Sequence, residues 1–302
     1  MEILITEKSD SYELLDSGKG EKLERYSQNI ISRPDPQALW LKSLGEEEWA
    51  KANAVFNRTE KSGKWKVLKE IEKPWEVTLE GITFSLELLP SKHIGVFPEQ
   101  STQWKWLAEK IVSRISPEQS EGNKSYKAKA TTVSVLNLFG YSGGATLSCA
   151  KAGASVCHVD ASKFAVDLAH KNLDLSGLSN RLVRLIVDDV RKFVEREINR
   201  KNKYDVILMD PPVYGKGVKG EIWRIEEDLL PLLSRIKEII SPSPLAVVLN
   251  GYASGYSHIT YAQMLSSVVA DLGGSISSGE LAIRQSSSGK ILPSGIFARW
   301  EK

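Results

Sequence analysis

The chain has 302 residues, of which 41% are hydrophobic and 26% charged, and its formal net charge is +2. These are globular proportions, and the length suffices for one large domain or two smaller ones. The charge permits a nucleic-acid partner without demanding one, since dedicated binders carry a stronger basic excess. No apolar run approaches the roughly 20 residues of a membrane-spanning helix. The N-terminus also lacks the pattern of a signal peptide, so we expect no membrane partner.

The sequence contains two cysteines, Cys149 and Cys157, and both fall within predicted core elements. Buried, unpaired thiols are typical of a reducing compartment. We therefore expect a cytoplasmic protein whose cysteines are reduced.

Residues 1–95 predict a β-rich region of short strands separated by turn and breaker signals. Gly18-Lys19-Gly20 and Arg33-Pro34-Asp35-Pro36 are two such breakers, because glycine permits turns and proline disfavours helix in the preceding residue. Hairpins are predicted around Ser62-Gly63-Lys64 and Glu80-Gly81. We expect residues 1–95 to form a substrate-binding or accessory region, followed by a second domain over residues 96–302.

From Thr132 onward, apolar strands alternate with amphipathic helices, which predicts an α/β domain with an open, mostly parallel sheet. The strands are predicted at residues 132–138, 154–159, 182–187, 204–209 and 245–249. Two final strands, at 280–284 and 295–300, have no helix between them. We therefore expect one antiparallel strand at the end of the sheet.

The first of these strands runs into a turn rich in small residues, Phe139-Gly140-Tyr141-Ser142-Gly143-Gly144. A helix and a second strand follow, and that strand ends at Asp160. Strand, glycine turn, helix, strand and acid form the order that a nucleotide-type cofactor needs, with the acid about 20 residues beyond the turn to accept ribose hydroxyls. Glycines let the backbone approach the ligand, and the helix start offers free N–H groups. Tyr141 replaces the second glycine of the dinucleotide pattern, which argues against NAD and for a cofactor without a pyrophosphate.

Asp188-Asp189 follows the third strand of this domain. A carboxylate at the carboxyl end of a parallel strand can accept the exocyclic amine of adenine. Asp is also a good N-cap for the helix that follows. Both roles can hold, one per residue, and we assign the adenine amine to Asp189.

The fourth strand ends in Asp210-Pro211-Pro212, with Tyr214 close behind. The two prolines stiffen the backbone, so the carboxylate and nearby carbonyls point at fixed places. That arrangement suits an amine or ring N–H that must lose a proton, and Tyr214 can stack on a planar substrate. The alternative is a rigid loop that merely ends the strand.

Acids at three successive strand ends predict an S-adenosylmethionine site. The glycine turn would face the methionine part, Asp160 the ribose, Asp189 the adenine and Asp210 the acceptor. Asp210, Pro211, Pro212 and Tyr214 are the candidate catalytic residues, and no metal site is predicted.

These segments resemble the class I S-adenosylmethionine-dependent methyltransferases related to bacterial large-subunit ribosomal RNA methyltransferase I. Residues 135–144 are similar to that group's Asn-x-Phe-x-Tyr-(Ser/Thr)-Gly-Gly turn, and 158–162, 188–190 and 209–212 continue the similarity. Residues 95–100 resemble its Gly-x-Phe-x-(Asp/Glu)-Gln segment. The resemblance covers roughly residue 93 to the end, and residues 14–40 resemble a bacterial branch of the same group.

The resemblance implies a Rossmann-like methyltransferase fold with a seven-stranded sheet and S-adenosyl-L-methionine as cofactor. The residues that it places at the cofactor are Phe97, Gln100, Asn137, Phe139, Gly140, Tyr141, Ser142, Gly143, Asp160, Ala161, Ser162, Asp188, Asp189 and Val190.

The chain departs from the group at residues 250–255, after the fifth strand. Cytosine-C5 enzymes of the group carry a nucleophilic cysteine there, whereas this chain has Ala253 near that position. Because C5 methylation needs covalent attack on the ring, we expect direct transfer to a nitrogen on a base of ribosomal RNA. No RNA-binding module of the PUA type is recognised, and Ser101 replaces the usual Arg. The alternatives are a methyltransferase for a protein or small molecule, and an RNA-binding factor without transfer activity.

Overall fold

The computed structural model describes residues 1–58, 63–116, 132–217, 220–252 and 255–302. The chain divides into two compact units. The β-rich unit comprises Ile3–Thr102 and Glu280–Gly295, and the α/β unit comprises Met1–Glu2, Gln103–Gly279 and Ile296–Lys302. The β-rich unit thus includes a segment from near the C-terminus, which local composition cannot associate with residues 1–95.

The N-terminal elements are β1 (Glu2–Thr6), β2 (Tyr12–Gly18), β3 (Glu21–Tyr26), β4 (Asn29–Pro34), α1 (Glu46–Trp49), β5 (Ala54–Arg58), β6 (Gly63–Val67), β7 (Glu76–Leu79) and β8 (Ile82–Ser85). There follow α2 (Ser101–Ile115), β9 (Ser134–Leu138), α3 (Gly144–Lys151), β10 (Ser155–Asp160), α4 (Lys163–Leu175), β11 (Val183–Val187), α5 (Val190–Asn199) and β12 (Val206–Met209). The chain ends with β13 (Tyr214–Lys216), β14 (Ile222–Arg224), α6 (Ile225–Ile236), β15 (Ala246–Tyr252), α7 (His258–Val269), β16 (Ser275–Arg284) and β17 (Ile291–Glu301).

The β-rich unit contains a five-stranded sheet of order β2-β3-β4-β5-β6. Its neighbouring strands are antiparallel except β4 and β5, which are parallel. The predicted hairpin around Glu80-Gly81 is formed by β7 and β8, with positive φ angles of 48° and 71° at the turn residues. The hairpin predicted near Ser62 has its two strands in β5 and β6, and Ser62 itself lies outside the described residues.

A buried ionic group lies within this sheet. Glu24 on β3 is fully buried and accepts hydrogen bonds from Arg33 Nε at 2.9 Å, Tyr12 at 3.1 Å and Tyr26 at 2.9 Å. Burial alone would raise the pKa of Glu24. The nearby charges of Arg33 and Lys22 and the donated bonds lower it instead, to about 2. Glu24 is therefore a buried carboxylate whose charge is fully compensated, as burial requires.

The α/β unit is built on parallel strands in the order β15-β12-β9-β10-β11, and the sheet continues beyond β15 with β17, β16 and β1. The parallel core and its alternating helices confirm the predicted architecture. Among the described residues this sheet has eight strands and not the expected seven, because β1, which the sequence pattern did not assign to it, adds a strand at its edge. No helix in the described ranges is long and apolar enough to cross a membrane.

The central strands are apolar on both faces because helices cover both sides of a parallel sheet. Leu136, Leu138, Ile207 and Met209 belong to one core cluster, while Val135, Val206 and Leu208 belong to another. β9 lies between β10 and β12, and the chain proceeds to β10 on one side and later to β12 on the other. This reversal of strand order creates a crevice at the carboxyl ends of β9 and β12, which is where ligands bind in such sheets.

We predict that Glu24→Gln lowers the free energy of unfolding by about 3–5 kcal/mol, because it leaves the Arg33 charge buried without a carboxylate. Urea denaturation at pH 7 measures the loss. Glu13→Gln, which removes the more exposed Glu13–Arg25 ion pair from the neighbouring strand, should cost less than about 1 kcal/mol. Equal losses of unfolding free energy in the two variants would contradict the conclusion that the buried Glu24–Arg33 pair is more costly to break than the more exposed pair.

The Glu24–Arg33 ion pair also predicts a pH dependence of stability. The folded-state pKa of Glu24 lies below its ordinary value of 4.5, so its contribution is present above pH 4.5 and is lost as the pH falls toward about 2. The Glu24→Gln variant should therefore lose less unfolding free energy than the wild type as the pH falls through this range.

Candidate active site

Four adjacent strands bring the predicted motifs to one edge of the sheet. The register places Leu138 beside both Val159 and Met209, and Asp160 beside Val187. The residues that follow these positions therefore start their loops side by side, in the strand order β12, β9, β10, β11. At roughly 4.8 Å between strands, the row from β12 to β11 spans about 14 Å.

The turn after β9 adopts a strained conformation. Phe139 and Tyr141 have positive φ angles of 59° and 47°, and Gly143 has φ of 89°. Left-handed backbone is unusual for aromatic residues, and it persists only where surrounding contacts enforce it. Here the Gly140 N–H donates to the Val159 carbonyl at 3.1 Å, and the Tyr141 N–H donates to Asp160 Oδ2 at 2.9 Å.

The glycines of this turn are required by packing. A Cβ on Gly140 would lie 2.4 Å from the His158 ring, and one on Gly144 would lie 2.2 Å from the Trp104 ring. The sequence pattern suggested that these glycines make room for a ligand. In the structure, side chains from β10 and α2 occupy the space that the missing Cβ atoms leave.

A buried polar network supports the turn from β9, β10 and α3. Asn137 Nδ2 donates to Thr146 Oγ1 at 2.9 Å, and the Thr146 hydroxyl lies 2.9 Å from His158 Nδ1. Burial lowers the pKa of His158 to about 4, so the ring is neutral at pH 7. Asn137, which the resemblance places at the cofactor, thus has its amide nitrogen engaged in this network.

The Asp160 carboxylate orients the two loops on either side of it. Its Oδ1 accepts from the Ser162 N–H at 2.8 Å and its Oδ2 from the Tyr141 N–H. Burial raises the pKa of Asp160, while these two bonds oppose the rise. Each oxygen retains acceptor capacity for a ligand hydroxyl. Ser162 is the N-cap of α4, a position that serine favours, and its hydroxyl accepts from the Ala165 N–H at 3.2 Å, while Ala161 lies between Asp160 and Ser162.

The two acids after β11 have different surroundings. Asp189 is buried and N-caps α5, accepting from the backbone of Arg191 and Lys192 and from the Arg191 guanidinium at 2.7 Å. Asp188 is more exposed and forms an ion pair with Arg196. The N-cap role anticipated for one of the pair thus belongs to Asp189, whose carboxylate is committed to the helix. The Val190 side chain is buried in the hydrophobic core.

The acceptor motif follows β12. Asp210 is exposed, Pro211 is buried and Pro212 is exposed, while Tyr214 begins β13 with 51% of its surface exposed. Burial and the charge of Asp210 raise the pKa of Tyr261 on α7. The motif therefore presents a carboxylate and an aromatic ring to solvent above a buried proline.

Trp223 is a structural residue of this site that the motifs did not identify. Its indole Nε1 donates to the Pro212 carbonyl at 2.7 Å, and its ring packs edge-on against Phe139 with centroids 4.8 Å apart. It therefore connects the cofactor turn with the acceptor motif. Its only sequence signal is a tryptophan between Ile222 and Arg224, after the Asp-Pro-Pro motif, in a stretch to which no predicted element was assigned.

Arg191 is a second such residue. Its guanidinium donates to Asp189, to the Ile222 carbonyl at 3.1 Å and to Asp228 at 2.7 Å. It thereby holds the start of α5, the strand β14 and the start of α6 together. An arginine at the second position of a helix has no sequence signal that would indicate this role.

The remaining predicted residues are distributed as follows. Ser142 is buried, and its carbonyl accepts from Asn172 Nδ2 at 2.9 Å. Phe97 and Gln100 belong to the β-rich unit, at a 3-10 turn where the Gln100 N–H donates to the Phe97 carbonyl at 3.1 Å. Their role toward a cofactor stays a prediction. Ala253 lies outside the described residues.

Comparison with known proteins supports this geometry. Residues 123–232 match the family model described as conserved hypothetical protein 95. Ribosomal RNA large subunit methyltransferase K/L of Shewanella frigidimarina is 26% identical over 259 residues, 78% of this chain and 33% of that protein. Ribosomal RNA large subunit methyltransferase I of Klebsiella pneumoniae is 40% identical over 81 residues, 26% of this chain and 20% of that protein. The chain thus spans a third or less of these relatives.

A solved structure provides the full-length comparison. The crystal structure of the SAM-dependent methyltransferase from Agrobacterium tumefaciens superimposes with a TM-score of 0.90 and 36% sequence identity, covering 100% of this chain and 93% of that one. Fold, strand-end acids and full-length similarity lead to one conclusion: the chain belongs to the S-adenosylmethionine-dependent methyltransferases.

Proposed function

We propose that this protein transfers the methyl group of S-adenosylmethionine directly to a nitrogen on a base of ribosomal RNA. The proposal rests on three acids at the same edge of the parallel sheet, around the crevice between β9 and β12. Asp210 follows β12, Asp160 ends β10 and Asp188 follows β11. The ribosomal substrate is supported by the names of the curated relatives, two kinds of ribosomal RNA large subunit methyltransferase.

The side chains at this edge fit the cofactor by their chemistry. Asp160 is preorganised by two backbone N–H bonds, and its remaining lone pairs suit a ribose diol. Because Asp189 is committed to the helix cap, we assign the adenine amine to Asp188 instead. The backbone of residues 139–143 would face the methionine part, and the side chains of Asn137 and Val190 would support these loops without touching the ligand.

When bound, the cofactor supplies an activated methyl group on a sulfonium centre, so the protein needs mainly to align the acceptor for in-line displacement. Asp210 and the Pro211 carbonyl would accept the N–H groups of the base and orient its nitrogen lone pair. Tyr214 would stack on the ring. The Trp223–Pro212 bond holds the backbone of this motif in place, so little ordering remains at the moment of reaction.

The cofactor assignment predicts that S-adenosylhomocysteine binds and that NAD does not. Asp160→Ala should weaken that binding by about 1–3 kcal/mol, because the ribose hydroxyls lose a charged acceptor. Isothermal titration calorimetry measures both affinities. Asp167→Ala, which removes an exposed carboxylate from α4, is the matched control and should bind normally. Tight NAD binding, or unchanged affinity in a folded Asp160→Ala, would sink the assignment.

Direct transfer predicts that neither cysteine takes part. Burial raises the pKa of Cys149 to about 12 and that of Cys157 to about 11, so both are thiols at pH 8. In the native protein they should not react with Ellman's reagent, whereas denaturation should release two reactive thiols. The Cys149→Ala/Cys157→Ala variant should keep its single-turnover rate. Loss of transfer in a folded double variant would show a covalent mechanism.

The role proposed for the acceptor motif predicts that its variants change the rate of methyl transfer or acceptor binding without changing cofactor affinity. Asp210→Ala should lower the single-turnover rate by about 10²–10³ while affinity for S-adenosylhomocysteine holds, because a positioning and proton-accepting group is lost. Tyr214→Ala should weaken acceptor binding by about 1–3 kcal/mol, the contribution of one stacked base, whereas Tyr214→Phe should be nearly neutral.

The measurement is tritiated methyl transfer to deproteinised ribosomal RNA from a strain lacking the enzyme. A normal rate for Asp210→Ala would show that the acceptor binds elsewhere, and residues 250–255 would then be the next candidate. Methyl incorporation into protein instead of RNA would overturn the substrate class.

A further inference from the structure

The strands β13 and β14 form a two-stranded hairpin directly after the acceptor motif. Tyr214 pairs with Arg224, Gly215 with Trp223, and Lys216 with Ile222. Side chains alternate between the faces of a strand, so Gly215 and Trp223 share one face, and the other four residues share the opposite face. Trp223 is buried, whereas Tyr214 is 51% and Ile222 48% exposed, and Lys216 and Arg224 are exposed as well. We call these four residues the outer face of the hairpin.

The hairpin is fixed from its inner side. Trp223 Nε1 donates to the Pro212 carbonyl, Arg191 donates to the Ile222 carbonyl, and Lys192 pairs with Glu221. The Ile225 N–H also closes the hairpin by donating to the Val213 carbonyl at 3.1 Å. The outer face is therefore presented at a constant position beside Asp210, only four residues beyond it in the chain, without a cost of ordering on binding.

The outer face combines cations with apolar surface. Two of its four side chains, Lys216 and Arg224, are basic, and the neighbouring acid Glu221 is paired with Lys192. The Arg224 guanidinium lies 6.0 Å from the Tyr214 ring centre and 3.8 Å from Glu227. Because both Arg224 and Glu227 are more than half exposed, their pair is weak and a phosphate can replace it.

We propose that the outer face binds the single-stranded RNA segment that flanks the acceptor base. Lys216 and Arg224 contact its phosphates, while Ile222 packs against a neighbouring sugar or base. The assignment rests on the proposed function, since it places the substrate next to Asp210 and Tyr214. A single strand is favoured because a base must leave its helical stack before Tyr214 can stack on it, and aromatic and cationic side chains together are the elements that bind unpaired nucleic acid.

The test is binding of a labelled single-stranded oligoribonucleotide of mixed sequence, followed by fluorescence anisotropy between 50 and 200 mM salt. Lys216→Glu/Arg224→Gln should weaken binding at least tenfold and reduce the salt slope by about 1.4, since each lost phosphate contact on a single strand removes about 0.7. Lys171→Glu/Arg235→Gln makes the same charge change on exposed positions of α4 and α6 and should leave both quantities unchanged. Affinity for S-adenosylhomocysteine should be equal in all three proteins.

The outcomes separate this inference from the proposed function. If the wild-type protein methylates RNA and both double variants bind the oligonucleotide equally, the outer face is not the contact surface, while the proposed function stands. If an RNA duplex binds more tightly than the single strand through these residues, the single-stranded assignment is wrong. If the wild-type protein neither binds nor methylates RNA but methylates another substrate, both proposals fall.

Discussion

The indole of Trp223 joins the two loops on which the site depends. Its hydrogen bond holds the Pro212 carbonyl, and its ring packs on Phe139, the first residue of the strained turn after β9. Those loops leave β9 and β12, the neighbouring strands at which the strand order reverses. In-line transfer tolerates little displacement between donor and acceptor. A single buried side chain that contacts both loops holds them at a fixed distance from each other.

The turn itself shows how packing preserves strain. Left-handed conformations at Phe139 and Tyr141 are unfavourable by themselves, yet the Asp160 carboxylate and the Val159 carbonyl hold the backbone between them. The His158 ring fills the space beside Gly140, so a larger residue there would push against a buried histidine. The Asn137–Thr146–His158 network beneath supports this arrangement from β9, α3 and β10. Asp160, the residue that we propose for the ribose hydroxyls, thus also maintains the shape of the turn.

Arg191 has a similar connecting role near the two acids that follow β11. By bonding Asp189, the Ile222 carbonyl and Asp228, it ties the start of α5 to the hairpin and to α6. The Asp189 carboxylate is engaged in this arrangement, which is why we propose Asp188 for the adenine amine. The two adjacent carboxylates differ in their surroundings, because Asp189 is buried and caps α5, whereas Asp188 is partly exposed and pairs with Arg196.

The sequence alone determined the alternation of strands and helices, the parallel core, the position of the glycine turn after β9, the N-cap at Ser162 and the positions of the acids at the strand ends. These depend on local periodicity and on residues at strand ends, which a single chain displays directly. The tertiary structure decided which of two neighbouring acids caps α5, why Gly140 and Gly144 lack side chains, and that β1 and residues 280–295 join elements far away in the chain. It also revealed Trp223, Arg191 and the outer face of the hairpin. Each depends on contacts between residues distant in sequence, and local pattern carries no information about such contacts.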